Sequence, residues 1–395
     1  MLILPFRAVR IVPFLFILII ALACGGGESS SSADVAADTG SDVATVPDTV
    51  ADTAFTEDTA TVADTAQPLD TEAVDAATVP DTAKPVDTVT SPDTATGPAL
   101  DPGQAGSYAF TASTAQLTPD SGSFGAETTT LTILTPEGSG RPVVLLLPGF
   151  QLNPPDYTST REHLASHGFY VVSPSFPGSL FAPKNNVELR DITLGILDWI
   201  EAQAAGPLAG VIDPSKLAAV GHSLGGKISL LTASGDTRID AVLGIDPVDS
   251  GPPFAFDPAE YPSVTPELMG QIQVPLLLMG ETTNGSGGSS GQACAPADNN
   301  FQEYYKAAAS PAMEVDVLGA NHMSFLDNPN CLVCFACPSG SDDPATTRLI
   351  TRRLSVAFLT QQLLADNTYD SWLKGADLQT MVSDGLIQVA SKNGF

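Results

Sequence analysis

From about residue 104 onward, short apolar runs alternate with longer amphipathic ones, and this alternation constrains the chain more than any other feature. The stretches "TTLTILTP", "PVVLLLPG", "FYVVSPSFPG", "LAAVGHS", "AVLGIDPVD", "VPLLLMGE" and "MEVDVLGAN" read as strands. The middle ones are apolar on both alternating faces, as strands buried in a parallel sheet must be. Between them, "ELRDITLGILDWIEAQAA" repeats Leu189, Ile192, Ile196 and Ile200 at the spacing of an amphipathic helix. "RLITRRLSVAFLTQQLL" gives another helix after the last run. The alternation predicts an α/β chain: a mostly parallel, doubly wound sheet with helices on both faces and one or two antiparallel strands at its start.

The segment ahead of it has a different character. The chain has 395 residues and a formal net charge of -29, from 45 acids against 16 bases. Residues 25–100 carry fifteen of those acids and one base, Lys84, and Phe55 is their only aromatic residue. "ADT" and "PDT" recur without a fixed period. Such a stretch cannot bury enough apolar surface to offset its ordering entropy, and its like charges and prolines favour extension. Residues 25–104 are therefore expected to form a disordered stalk. Residues 105–395 are expected to be the folded domain, and its ~290 residues suffice for one sizeable core. The acidic balance excludes a nucleic-acid partner and any charge-driven docking on an anionic membrane.

The N-terminus reads "MLILPFRAVRIVPFLFILIIALAC". Arg7 and Arg10 precede an apolar stretch, Ile11 to Ala23. That stretch is short of the roughly 20 residues that span a bilayer, and it suits an export signal. The small residues before Cys24 resemble a bacterial lipoprotein signal. The resemblance implies a signal peptide over residues 1–24 and a lipid at Cys24, so that membrane contact comes through the anchor only. No aspartate follows Cys24, which favours an outer-membrane or cell-surface address. A plain secretory signal with a coincidental cysteine is the alternative.

In a sheet of this kind, chemistry sits at the C-terminal ends of the strands. "LAAVGHSLGG" ends a strand and opens a helix, and it carries Gly221-x-Ser223-x-Gly225. Glycines there permit a sharp strand-to-helix turn that exposes a nucleophilic serine. The serine needs a base, and the chain has four histidines. His163 and His167 lie in a helix upstream, and the His222 side chain should diverge from its neighbour Ser223. His322, in the loop after the last strand, is left as the base. Three carboxylates compete to orient it: Asp246, preferred because it directly terminates an apolar strand, Asp249 in the same turn, and Glu281 at the end of the next strand. The order Ser223, Asp246, His322 agrees with that of α/β-hydrolases. One oxyanion donor should be the backbone N–H of Leu224 and the other that of Phe150, or of Gln151, in the loop after "VVLLLPGF". Phe150 would also wall the acyl pocket, joined by Phe254, Phe256 and Tyr261 from the segment after the acid.

Taken together, "VVLLLPGFQLN", "HLASHGFYVVSPSF", "KLAAVGHSLGGKISLL", "AVLGIDPVDSG", "ACAPADNNFQEYYK", "NHMSFLDN" and the "CLVCFAC" region resemble the chlorophyllase family, within the dienelactone-hydrolase-like and polyester-hydrolase-like α/β-hydrolases. The resemblance covers about residues 126–366. It implies an α/β-hydrolase fold and ester hydrolysis through Ser223, the acid of the "DPVD" turn and His322. Plant members usually carry a basic residue straight after the serine. This chain has Leu224 there, so chlorophyll is not carried over as substrate.

Four cysteines follow Cys24: Cys294, Cys331, Cys334 and Cys337. An even count in an exported domain predicts two disulfides, Cys294 with one of the close trio and the other two together. A four-cysteine metal site is the rival, although it lacks two well-separated pairs. The chain is thus expected to be a monomeric serine carboxylic-ester hydrolase acting on a small-molecule or polymeric ester, with neither metal nor organic cofactor. Acyl transfer, phospholipid deacylation of the platelet-activating-factor acetylhydrolase type, and a non-catalytic surface binding module remain the alternatives.

Overall fold

The computed structural model describes residues 100–118, 127–180, 182–251, 257–287, 293–328 and 334–395. The signal segment, Cys24 and the acidic repeats up to residue 99 lie outside the described residues.

Nine strands make one sheet: β1 (Phe110–Leu117), β2 (Thr129–Pro136), β3 (Arg141–Leu147), β4 (Tyr170–Ser175), β5 (Ile212–His222), β6 (Ala241–Ile245), β7 (Leu276–Gly280), β8 (Ala312–Val317) and β9 (Ile387–Lys392). Their spatial order is β1-β2-β4-β3-β5-β6-β7-β8-β9. The pairs from β4–β3 through β7–β8 are parallel, whereas β1–β2, β2–β4 and β8–β9 are antiparallel. The helices are α1 (Thr158–Ser166), α2 (Asn186–Ala205), α3 (Leu224–Ala233), α4 (Phe301–Ala307), α5 (Pro344–Leu364), α6 (Ser371–Lys374) and α7 (Ala376–Ser383). This is the α/β-hydrolase architecture.

The two-sided apolar runs explain the layering. Successive side chains of a strand point to opposite faces. Val144 and Leu146 of β3 join one core, with residues of α1 and α5. Val143, Leu145 and Leu147 join the other, with residues of α2 and α3. Leu189, Ile192, Ile196 and Ile200 of α2 are all buried, as their spacing predicts. The start of α2 is fixed by a capping box. Asn185 Oδ1 accepts the Glu188 N–H at 2.8 Å, and Glu188 Oε2 accepts the Asn185 N–H at 2.9 Å.

Two strands escape the apolar pattern. β1, "FTASTAQL", is a mostly exposed edge strand, so its side chains carry no hydrophobic signal. β9, "IQVASK", closes the other edge and buries only Ile387 fully. Packing also begins ahead of residue 105. The Trp372 Nε1–H donates to Leu100 O (3.2 Å), Asp101 pairs with Arg353 (2.7 Å), and His163 and His167 donate from Nε2 to Pro102 O (2.7 Å) and Gln104 O (3.0 Å). This strap is invisible to composition because its partners lie far along the chain. Among the described residues, no helix is long and apolar enough to cross a membrane.

Candidate active site

Four strand ends build the site. His222 of β5 lies opposite Ile245 of β6, and Ile245 lies opposite Met279 of β7, so the residues that follow emerge along one edge. Ser223 leaves β5 with φ 54° and ψ −121° and caps α3. A serine holds such dihedrals only where the surroundings enforce them. Here they do: a Cβ on Gly225 would stand 2.1 Å from Leu147 O, and one on Gly221 would stand 2.2 Å from Gly225 O. Only glycine lets strand and helix approach so closely. Asp246 leaves β6 at φ 44°. His322 arrives from the loop after β8.

The side chains meet in a line. Ser223 Oγ lies 2.8 Å from His322 Nε2, and His322 Nδ1 lies 2.5 Å from Asp246 Oδ2. A carboxylate oxygen accepts, so the Nδ1–H donates to Asp246, and Nε2 keeps the lone pair that faces the serine hydroxyl. Asp246 is fully buried and His322 nearly so. Burial pulls the His322 imidazole down from 6.5 to about 4, which leaves it a neutral base. Burial pushes the Asp246 carboxyl up, and the N–H donated by Glu281 opposes that rise.

The other two acids take different places. Asp249 turns away from His322 to Lys227, whose ammonium pairs with its Oδ1 at 3.2 Å, both side chains buried. Asp249 also accepts from Ser263, Val264 and Thr265, so it anchors the segment that begins at Ser263. Glu281 stands beside Asp246, and its backbone N–H donates to Asp246 Oδ1 at 3.3 Å. Burial, then the neighbouring Asp246, push its carboxyl up to about 9, so it is protonated at neutral pH. Asp246, Glu281 and His322 offer atoms within 4.8 Å of one another, the spacing of a possible cation site. Both His322 nitrogens are engaged here with Asp246 and Ser223.

The chlorophyllase family model matches residues 103–382. The chain belongs to the chlorophyllase family. Chlorophyllase-2 of Arabidopsis thaliana is 29% identical over 226 residues, 54% of this chain and 70% of that protein. Chlorophyllase-1 of the same plant is 26% identical over 263 residues, 63% of this chain and 78% of its own length. Cutinase est1 of Thermobifida alba is 31% identical over 100 residues, 24% of this chain and 33% of its own. As a chlorophyllase-family protein the chain is an ester hydrolase.

In this family member a cavity of about 120 Å³ is lined in part by Phe150, Gln151, Phe176, Leu189 and Leu224, the residue that follows Ser223. Phe150 and Leu224 both line this cavity. Tyr261 is not among the described lining residues, and Phe254 and Phe256 lie outside the described residues. Cys294 and Cys337 form a disulfide. Cys334 is disulfide-bonded as well, and Cys331 lies outside the described residues. The bridge rules out the four-cysteine metal site.

Three further residues complete the surroundings. Asn284 Oδ1 accepts the His322 N–H at 3.0 Å, the Asn284 N–H donates to Glu281 Oε2 at 2.8 Å, and its Nδ2 donates to Pro338 O at 3.0 Å. Tyr157 and His222 approach from the opposite side, at 2.9 Å from one another. The sequence carried no signal for Asn284 or Tyr157, because their partners are distant in the chain.

Proposed function

We propose that this ester hydrolase works through a Ser223-His322-Asp246 triad and an acyl-enzyme. Ser223 Oγ attacks the ester carbonyl carbon as His322 Nε2 takes the hydroxyl proton. The negative charge moves to the carbonyl oxygen, where the backbone N–H of Leu224 and that of Phe150, or of Gln151, stabilise it. The intermediate collapses, the ester C–O bond breaks, and His322 returns the proton to the leaving alcohol. Water then attacks the acyl-Ser223, gives a proton to His322, and the acid departs with the serine hydroxyl restored. Asp246 holds the Nδ1–H tautomer and stabilises the imidazolium that forms twice per cycle. The observation that carries this reading is the unbroken line Ser223 Oγ, His322 Nε2 and Nδ1, Asp246 Oδ2, at 2.8 and 2.5 Å.

The relatives' names point to chlorophyll, but Leu224 stands where the plant pattern has a basic residue, so the pigment is not carried over as the substrate. The leader and Cys24 support export and a lipid tether at a cell surface, with the acidic segment as spacer. In that setting the substrate is an ester met outside the cell.

The test is turnover of an ester panel spanning short acyl, long acyl, phospholipid, polyester and chlorophyll substrates, in wild type and Ser223→Ala. The expected result is turnover of carboxylic esters other than chlorophyll, with turnover and fluorophosphonate labelling both abolished in Ser223→Ala. Turnover of chlorophyll alone would remove the substrate reading, and undiminished labelling of Ser223→Ala would remove the nucleophile.

A further inference from the structure

His222 is fully buried beside the nucleophile, and its ring engages both nitrogens. Nε2 lies 3.0 Å from the backbone carbonyl of His322. A carbonyl only accepts, so Nε2 carries the proton. Nδ1 is then an acceptor, and the Tyr157 hydroxyl donates to it at 2.9 Å. The Tyr157 oxygen in turn accepts the N–H of Gly149 at 3.0 Å. The result is a one-way chain from Gly149 N–H through Tyr157 and His222 to His322 O. Gly149 immediately precedes Phe150, in the loop that also holds Gln151, and His322 is the base. One end of the chain is therefore the oxyanion loop and the other is the base loop.

We propose that Tyr157 and His222 are positioning residues that couple the oxyanion loop to the His322 loop, so that both halves of the site keep their spacing through the reaction. The inference rests on the triad reading above. Three observations favour it over simple core packing. The His322 backbone is gripped on both sides, its N–H by Asn284 and its carbonyl by His222. An apolar side chain would fill the same volume without the desolvation cost of two buried polar groups. The His222 ring also lies 4.8 Å from the His322 ring, centroid to centroid, so a charged His222 would oppose the imidazolium formed in each cycle. The Tyr157 donation occupies the Nδ1 lone pair, and burial together with His322 pulls His222 well below the ordinary histidine range.

The test uses Tyr157→Phe, His222→Gln and His222→Leu, assayed on p-nitrophenyl acetate, with active sites counted by fluorophosphonate titration. A merely structural role lowers the number of titrated sites and leaves kcat per site unchanged. Coupling lowers kcat per site by roughly 10- to 100-fold in Tyr157→Phe, with KM changed less than about twofold. The amide N–H of glutamine can still reach the His322 carbonyl, so His222→Gln should recover part of what His222→Leu loses. Wild-type kcat per site in Tyr157→Phe, or equal losses in His222→Gln and His222→Leu, overturns the proposal. If Tyr157→Phe does not fold, the His222 pair decides alone. Ser223→Ala is run alongside. Turnover by that variant would overturn the triad reading itself, whereas an inactive Ser223→Ala beside a normal Tyr157→Phe removes only the coupling.

Discussion

Glu281 lies against Asp246 at the ends of adjacent strands, its backbone N–H donating to Asp246 Oδ1 at 3.3 Å, so the site buries a second carboxyl beside the one that holds His322. Two buried carboxyls at such range cannot both ionise cheaply. Glu281 keeps its proton up to about 9, against 4.5 in the unfolded chain. In that window the folded state binds the extra proton. Stability is therefore full below the unfolded value and is lost as pH rises through the folded one, by ~1.4 kcal/mol per unit at most.

Glu281→Gln removes that loss while keeping a donor beside Asp246. The variant should match wild type in melting temperature near pH 5 and exceed it by a margin that grows toward pH 9. Thermal melts across this range check the expectation, and a pH-independent difference would contradict a buried neutral Glu281.

In the proposed triad His322 must be unprotonated at Nε2 to accept the Ser223 proton. Activity is therefore lost as pH falls through the His322 pKa, which burial sets near 4 and below the ordinary 6.5. A pH profile of kcat/KM should still be on its plateau at pH 6.5, with its acid limb lower. A limb centred at or above 6.5 would mean that Asp246 outweighs burial.

Asp246 and Asp249 separate by phenotype. Asp246→Asn presents the wrong partner to the His322 Nδ1–H, and kcat should fall roughly 10⁴-fold with the fold retained. Asp249→Asn leaves the Lys227 ammonium buried without its counter-charge and should cost about 3–5 kcal/mol of stability. Urea melts and active-site-normalised kcat on both variants distinguish the two roles.

The Cys294–Cys337 bridge joins positions 43 residues apart. It fastens both segments that hold Asn284: the Ala295 N–H donates to Asn284 O at 3.3 Å, and Pro338 O receives the Asn284 side chain. Replacing both cysteines by serine should cost about 2–4 kcal/mol. It should also lower kcat, because Asn284 fixes the His322 backbone. Calorimetry with parallel kinetics reads both effects.

Removing the strap should destabilise the domain. A chain starting at residue 109 loses the Asp101–Arg353 pair and the histidine donations to Pro102 and Gln104. Each such bond contributes roughly 1 kcal/mol. The melting temperature should fall relative to a chain starting at residue 98, whereas equal values would place the strap outside the cooperative unit.

The legible parts of the site were those with a local signature. Ser223 sits between glycines at a strand-to-helix junction, and His322 follows the last parallel strand. Asp246 directly ends its strand, which favours it, but Asp249 in the same turn and Glu281 at the end of the next strand are close rivals in sequence alone. Their difference is set by what faces each of them: His322, Lys227, or another carboxyl.

The sequence by itself determined the layering, because two-sided apolar strands and one-sided helices have a single economical way to bury their surfaces. It also determined the turn at Ser223, because only glycine tolerates the approach of Leu147 O to residue 225. Tertiary structure alone decided which acid meets the base, where the packed chain begins, and how Asn284, Tyr157 and His222 hold His322. Those contacts join residues such as 157 with 222, 222 with 322, and 284 with 322. Hydrogen bonds over such separations leave no periodicity in the chain, because they depend on directions fixed only after the sheet has aligned its strand ends.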